Sequence, residues 1–341
     1  MHSQNRKPSG KTVAVLHDWV HDRADPDHAD VLVQTQAVSE ALAELGYNPI
    51  EMDFSLDLKA CIKKLQDLNP LFVFNLVEST EQQGRLIYFA PALLDSLRRP
   101  YTGSRTDAIY ITTNKFLTKQ LFAAWNIPAP RGFLPDHLRA NLKFSGEPYI
   151  VKSLWEHASV GLNEDSVVCI KNALQLKHAM TQRQSKLGGE CFAEEYIEGR
   201  EFNLGLLAGP DGPQVLPPAE IRFVDFPEGK RRLVDYRAKW EEHSFEYTHT
   251  PRSFDFPAAD RPLLENLIVI SKKCWELFDL HGYARVDFRV DKENNPFVLE
   301  INANPCLSPD AGFFAAAQQA GLDMPRIVER IIADMKRDFL I

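Results

Sequence analysis

Residues 12–19, TVAVLHDW, form a short apolar run, the pattern of a buried parallel strand. Residues 30–48 then show helical spacing of apolar positions and run into Gly46, a helix stop. A strand at 49–52, a helix at 56–68, a strand at 71–77 and a helix at 87–100 follow, with YTGS at 101–104 as a turn. Strands alternating with helices predict a parallel α/β layer. The rhythm then changes. Residues 114–133 predict a helix that stops before Pro128. A strand at 149–154, a loop at 155–165 and a helix from about Ile170 come next. Residues 191–209 predict a strand, a turn at Glu198 and Gly199, and a second strand; helices are expected at 260–280 and 323–337. These changes divide the chain into 1–105, 106–196 and 197–341.

The last third holds the most informative departure from a plain core pattern. In YARVDFRVD (283–291), Ala284, Val286, Phe288 and Val290 share one face, and Arg285, Asp287 and Arg289 the other. DKENNP is turn chemistry, and FVLEIN returns as a second strand with Glu300 and Asn302 inside an apolar run. A hairpin centred between Glu293 and Asn294 puts Asp287 opposite Glu300, Arg285 opposite Asn302, Val286 opposite Ile301 and Phe288 opposite Leu299. One face is then wholly apolar, and a one-residue slip would destroy that match. Two carboxylates facing each other across a strand pair repel unless positive charge lies between them. A hard cation such as Mg²⁺ fits, with Asp287, Glu300 and the Asn302 amide oxygen as ligands and phosphate oxygens completing the shell. The competing reading is a solvated face whose arginines neutralise its acids.

The chain has 341 residues, room for two or three domains, and is 44% hydrophobic and 25% charged, as soluble globular proteins are. Its net charge of −8 argues against a general nucleic-acid binder. No apolar run approaches the ~20 residues of a membrane span, so no membrane association is expected. The polar, basic N-terminus lacks an apolar segment after it and does not read as a leader. Five scattered cysteines without a CxxC fit reduced thiols in a cytoplasm.

A cation held by carboxylates suggests a nucleotide, and phosphate ligands are available. Lys152 sits in the apolar strand YIVKSL, just before the small, glycine-bearing loop HASVGLNED; Lys115 and Lys239 are further candidates. Each lysine could instead be a solvated surface cation. EEYIEGREF could line an adenine slot, with backbone groups around 194–197 reading the base edge and Glu201 holding the ribose, or be an ordinary hairpin.

The ordered set YTGS, NKFLTK, IVKSLWEHASVG, EEYIEGREF, AEIRF, YRAK and GYARVDFRVD…FVLEINANP resembles the ATP-grasp superfamily, and within it the D-alanine–D-alanine ligases and their relatives. The resemblance covers nearly the whole chain. It implies an N-terminal α/β domain with a parallel sheet, followed by an ATP-grasp fold of two α+β subdomains, a small one at 106–196 and a large metal-binding one at 197–341. By the same resemblance, Lys115 and Lys152 contact ATP phosphates, Ser159, Val160 and Gly161 form a flap over them, and Ser159 also counts among the catalytic residues. Glu194, Glu195 and Ile197 surround the adenine, Glu201 binds the ribose and Lys239 reaches the γ-phosphate. Asp287, Glu300 and Asn302 hold two Mg²⁺ ions, with Mn²⁺ as a substitute, and Arg285 stabilises the oxyanion of a tetrahedral intermediate. The implied activity is an ADP-forming ligation of a small carboxylate to an amine, amino acids or a short peptide, through an acyl phosphate. The other class considered is a non-catalytic nucleotide-binding relative with a regulatory or scaffolding role. A homodimer is compatible with either.

The substrate side departs from the family pattern. Cys306, Leu307, Ser308, Pro309 and Asp310 replace the usual glycine and hydroxyl residues after the Asn-x-x-Pro turn. Ala158 stands where a serine is expected, and Trp240 where a tyrosine is. The N-terminal loop lacks the usual glycine-rich turn, leaving Asp27 as a candidate amine-binding carboxylate. Cys306 has no paired histidine and reads as a buried small thiol.

Overall fold

The structure, a computed structural model, describes residues 11–20, 26–139, 141–156, 159 and 161–340. Three sheets order the chain. The first contains β1 (Thr12–Asp18), β2 (Asn48–Phe54) and β3 (Val73–Asn75) in the order β2-β1-β3, all parallel. Every residue of β1 is buried, and its two faces serve two cores. Val13 and Val15 pack toward α1 (Pro26–Glu44) and α11 (Met324–Asp338), while Ala14 and Leu16 pack toward α2 (Leu58–Leu68) and α3 (Phe89–Ser96). A parallel strand covered on both sides explains the uninterrupted apolar run. The C-terminal helix thus returns to the N-terminal sheet, where Lys336 also donates to the Tyr47 hydroxyl at 3.1 Å. Among the described residues, no helix is long and apolar enough to cross a membrane.

Two helices connect to the second sheet, α4 (Thr106–Thr113) and α5 (Lys115–Ala124). Asn114 separates them, capping α5 by accepting from Leu117 N at 2.9 Å. Only the second was expected, and it ends at Ala124, before Pro128 as expected. The second sheet has the order β4-β7-β5-β6, from β4 (Gly132–Phe133), β5 (Pro148–Ser153), β6 (Val167–Cys169) and β7 (Cys191–Glu195), with α6 (Ala173–Arg183) against it.

The third sheet has the order β11-β10-β8-β12-β13 with β9 beside β8. Its strands are β8 (Arg200–Leu207), β9 (Gln214–Val215), β10 (Ala219–Ile221), β11 (Arg252–Ser253), β12 (Tyr283–Val290) and β13 (Pro296–Asn302). Short helices α7 (Tyr236–Trp240) and α8 (Phe245–Thr248) precede β11, and α10 (Gly312–Gln319) follows β13. The long helix α9 (Arg261–Leu277) buries Leu263, Leu267 and Ile270 against Phe202, Leu204, Val286 and Phe288. The opposite face keeps the polar half of each strand.

Two local readings are corrected. β7 and β8 do not form a hairpin: β7 belongs to the second sheet and β8 to the third. Residues 196–199 carry the chain between sheets, and Gly199 makes the crossing with φ +154°, where a side chain would collide with the Val290 carbonyl. The second correction concerns the β12–β13 register. Asp287–Glu300, Val286–Ile301 and Arg285–Asn302 pair as expected, but Phe288 pairs with Val298 because a bulge leaves Leu299 out of register. Bulges re-aim side chains beside functional sites. Here the bulge turns Leu299 into a slot and presents its carbonyl to Lys119 at 3.2 Å.

Candidate active site

The polar face of the third sheet meets the second sheet in a narrow slot. Ile150, Tyr196, Ile197, Leu233 and Leu299 give it apolar walls, and Lys152, Lys239, Asp287 and Glu300 line its charged end. A flat apolar slot ending in cations suits a purine with a phosphate tail.

The lysines are held by specific partners. Lys152, on β5, lies 2.6 Å from Glu194 Oε1, and Lys119, on α5, lies 2.5 Å from Glu194 Oε2. Glu194 is 1% exposed. Burial alone would push its carboxyl up, but the two ammonium groups outweigh burial and hold it below the ordinary range. Burial lowers Lys119, whereas for Lys152 burial is outweighed by Glu194 and the group is raised. The Glu194 side chain is therefore committed to lysines, and the expectation that Glu194 surrounds the adenine is left to its backbone. Lys119 was not singled out in the sequence. Its signal was a second lysine one helical turn after Lys115, on the same face of α5.

Lys115 donates to the Glu156 carbonyl at 2.6 Å and stands 3.6 Å from Glu300. Lys239, on α7, is half-buried and pulled down by burial and by nearby Arg285. Ser159 lines the slot, adopts φ +61° and donates to the Val234 carbonyl at 2.8 Å. Gly161, at φ +69°, lies so close to the Lys186 carbonyl that only a glycine fits. Ala158 and Val160 lie outside the described residues. Glu195 lines the slot while accepting from Arg131 N at 3.0 Å. Glu201 lies 3.1 Å from Arg289.

The slot opens into a cleft of about 900 Å³ between the third sheet and the N-terminal domain. Lys239, Asp287, Glu201, Val234 and Glu156 border both spaces. At this junction Arg285 chelates Asp287, with Nε to Oδ1 at 2.8 Å and NH2 to Oδ2 at 2.9 Å. Asn203 adds 2.7 Å to Oδ1. Arg285 and Lys115 thus supply positive charge beside the carboxylate pair. Among the described residues, no three His, Cys, Asp or Glu side chains converge on one point. The donor set is two carboxylates and the Asn302 amide, too few for a closed protein cage. It does fit a magnesium ion that takes most of its ligands from phosphate and water. Of roughly four lone-pair directions on the Asp287 carboxylate, three accept from Arg285 and Asn203, leaving one for a metal.

On the N-terminal side the cleft is acidic. Asp18 ends β1, and Glu78 follows β3, so both stand at the carboxyl ends of adjacent parallel strands, where open α/β sheets bind ligands. That rule was the available sequence signal, and neither residue was chosen. Asp18 accepts from Ser79 Oγ at 2.6 Å and Glu78 N at 2.8 Å; Glu78 accepts from Gln34 at 2.6 Å. Burial pushes Asp18 up to about 7; burial and then the Asp18 charge push Glu78 up to about 8. Asp30, on α1, accepts from Cys306 at 2.9 Å and Ser308 at 2.6 Å. Asp27 lies in the first turn of α1, and its side chain lies outside the described residues. Burial, then the Glu78 and Asp30 charges, push the Cys306 thiol up, away from the reactive thiolate form.

The raised carboxyls carry a pH signature. Between their unfolded values and about 7 to 8 the native state binds more protons than the unfolded one. Their contribution is fully present below the unfolded values and is lost as pH rises through 7 to 8. The melting temperature of the free protein is therefore expected to fall from about pH 5 to about pH 8 and to level off above that, and Glu78→Gln to flatten the fall. Parallel wild-type and variant curves would contradict these assignments.

The family description "D-ala D-ala ligase C-terminus" matches residues 134–333. The chain is 30% identical over 314 residues to a D-alanine–D-alanine ligase from Gloeobacter violaceus, covering 90% of this chain and 95% of that one. It is 29% identical over 299 residues to the D-alanine–D-alanine ligase from Aquifex aeolicus, covering 87% and 92%. Its fold matches the crystal structure of D-alanine–D-alanine ligase from Bacillus anthracis complexed with ATP, with a TM-score of 0.70 at 18% identity over 97% and 98% of the two chains. A slot whose lining suits a nucleotide, a cleft opening from its charged end and these relatives agree: the chain belongs to the D-alanine–D-alanine ligase family, ATP-dependent, ADP-forming carbon–nitrogen ligases.

Proposed function

We propose that the protein joins a small carboxylate to an amine that carries additional positive charge, through an acyl phosphate. The supporting observation is the junction at Lys239, Asp287 and Arg285, where the nucleotide slot opens into an acidic cleft. A carboxylate oxygen attacks the γ-phosphorus, the bond to the bridging oxygen breaks, and ADP leaves. The amine nitrogen then attacks the acyl carbon, phosphate departs and the new ammonium loses a proton. Lys152 and Lys239 neutralise phosphate charge, and Arg285 stabilises the oxyanion. Glu201 takes the ribose hydroxyls, and the apolar walls take the adenine. Asp287, Glu300 and Asn302 would hold magnesium, which would supply neutralisation of phosphate charge. The flap from Ser159 to Gly161, tied to the 234–236 segment, excludes water that would hydrolyse the acyl phosphate.

The substrate side supports a ligand other than two D-alanines. Pro309 has no N–H to offer a carboxylate, and Asp310 lines the cleft beside it. Asp18, Asp30 and Glu78 crowd the opposite wall with acids that an ammonium group would satisfy. A screen of ADP release over amino acids, diamines and dipeptides tests this. D-Alanine alone is expected to give little turnover, and an amine with a second cationic group to give the most. A kcat on the order of 10 s⁻¹ with D-alanine alone, typical of a working enzyme, would refute the substrate assignment. Nucleotide binding without ADP release across the whole matrix would favour the non-catalytic reading.

A further inference from the structure

Arg289 lies on β12 two residues beyond Asp287, on the same polar face, with its side chain 4% exposed. It faces Glu201 in register across β8, and its NH2 lies 3.1 Å from Glu201 Oε2. The same guanidinium donates to the Gly199 carbonyl at 3.0 Å and closely contacts the Arg232 carbonyl. Its carbon lies 5.3 Å from the Phe223 ring centroid and 5.8 Å from that of Tyr196. One planar fork therefore binds the turn that crosses between sheets, the irregular segment that leads to Leu233 and Val234, and the carboxylate beside the slot. The Arg232 carbonyl also accepts from the Tyr196 hydroxyl at 2.8 Å, and Leu233 and Val234, which follow it, line the slot. Five donors in a rigid fork can serve these acceptors at once; a lysine ammonium on a flexible stem cannot do so with the same geometry.

The geometry points to Arg289 as a positioning residue that aims the Glu201 carboxylate at the nucleotide sugar and so sets selectivity for a 2′-hydroxyl. This rests on the reading above that Glu201 takes the ribose. The ion pair occupies Oε2 and leaves Oε1 to accept from a sugar hydroxyl. Without Arg289, Glu201 loses its orientation. The fold change should then appear in discrimination between sugars rather than in affinity for nucleotides as a class.

The test is calorimetric titration with Mg-ATP and with Mg-2′-deoxy-ATP, which requires no knowledge of the other substrates. It compares wild type, Glu201→Gln, Arg289→Met, Arg289→Lys and the double variant Glu201→Gln/Arg289→Met. Wild type should bind ATP about tenfold more tightly than 2′-deoxy-ATP, the value of one charge-assisted hydrogen bond. Glu201→Gln and Arg289→Met should each erase most of that ratio. The double variant should lose little more than either single one, and Arg289→Lys should recover part of the ratio. Should Arg289→Met not fold, Arg289→Lys carries the same comparison, with a reduced ratio expected. If Arg289 variants weaken both nucleotides equally while Glu201→Gln erases the ratio, Arg289 only packs and this inference falls, with the ribose reading intact. If Glu201→Gln keeps the ratio, the ribose reading falls first and takes the inference with it.

Discussion

Glu300→Gln is expected to lower ADP release about 10³-fold, corresponding to about 4 kcal/mol of lost transition-state charge stabilisation, while the protein remains folded. The structure separates the two effects. Glu300 faces the like-charged Asp287 across the strand pair, so removing one charge relieves repulsion and offsets the loss of its 3.6 Å contact with the buried Lys115. In the register of β12 and β13 it stands opposite Asp287, at the mouth shared by slot and cleft. Asp287→Asn should cost as much activity but more stability, about 1–3 kcal/mol, because it strips the bidentate partner from Arg285. The measurements are ADP release with a carboxylate–amine pair that supports wild-type turnover, and the rise in melting temperature that magnesium adds to ATP. Loss of that magnesium-dependent rise without loss of folding is the expected result. Activity within tenfold of wild type at ordinary magnesium would show that Arg285 and Lys115, and not a metal, balance the carboxylate pair.

This site was legible where polar residues interrupt an apolar pattern. Lys152 in YIVKSL, and Glu300 and Asn302 in FVLEIN, stood out because a buried strand has no ordinary reason to carry them. The apolar faces of β12 and β13 could be matched only one way near Asp287, so that pairing was readable. Leu299 was not, because a bulge adds a residue without altering the composition of the strand. The change of sheet between β7 and β8 was hidden for a related reason: strand, glycine turn and strand describe a hairpin and a crossing equally well. Asp18 and Glu78 were missed because Asp18 is the last residue of its strand and Glu78 lies beyond the end of its own, where the periodic signal stops. Their importance comes from the sheet order that brings β1 and β3 together. Lys119 was missed because it resembles any helix-surface lysine until Glu194 is seen beneath it.

Glu194→Gln is expected to destabilise the protein by about 3–5 kcal/mol near neutral pH, the typical result of removing one partner from a buried ion pair. The carboxylate is 1% exposed and stands between Lys152 at 2.6 Å and Lys119 at 2.5 Å. In the wild type its lowered carboxyl value contributes stability above the ordinary unfolded value, lost as pH falls through the lower folded one. Glutamine keeps the shape and removes the carboxylate that both buried ammonium groups contact, leaving them only the weaker pull of Glu300 and, for Lys152, Glu201. Those lysines can then relieve the penalty only by losing protons, so their native values drop below the unfolded ones. The unfolded variant thus binds more protons than the native one, and its stability rises with pH. The deficit relative to wild type should accordingly shrink between about pH 7 and about pH 10. Lys119→Met should cost less, because Glu194 retains Lys152 and the methionine fills the apolar path of the lysine stem. Urea unfolding of both variants across this pH range decides the matter. A loss below about 1 kcal/mol for Glu194→Gln, as for an exposed pair, or a deficit that does not change with pH, would show that the two lysines do not depend on this carboxylate. Another anion would then have to hold Lys152 at the charged end of the slot.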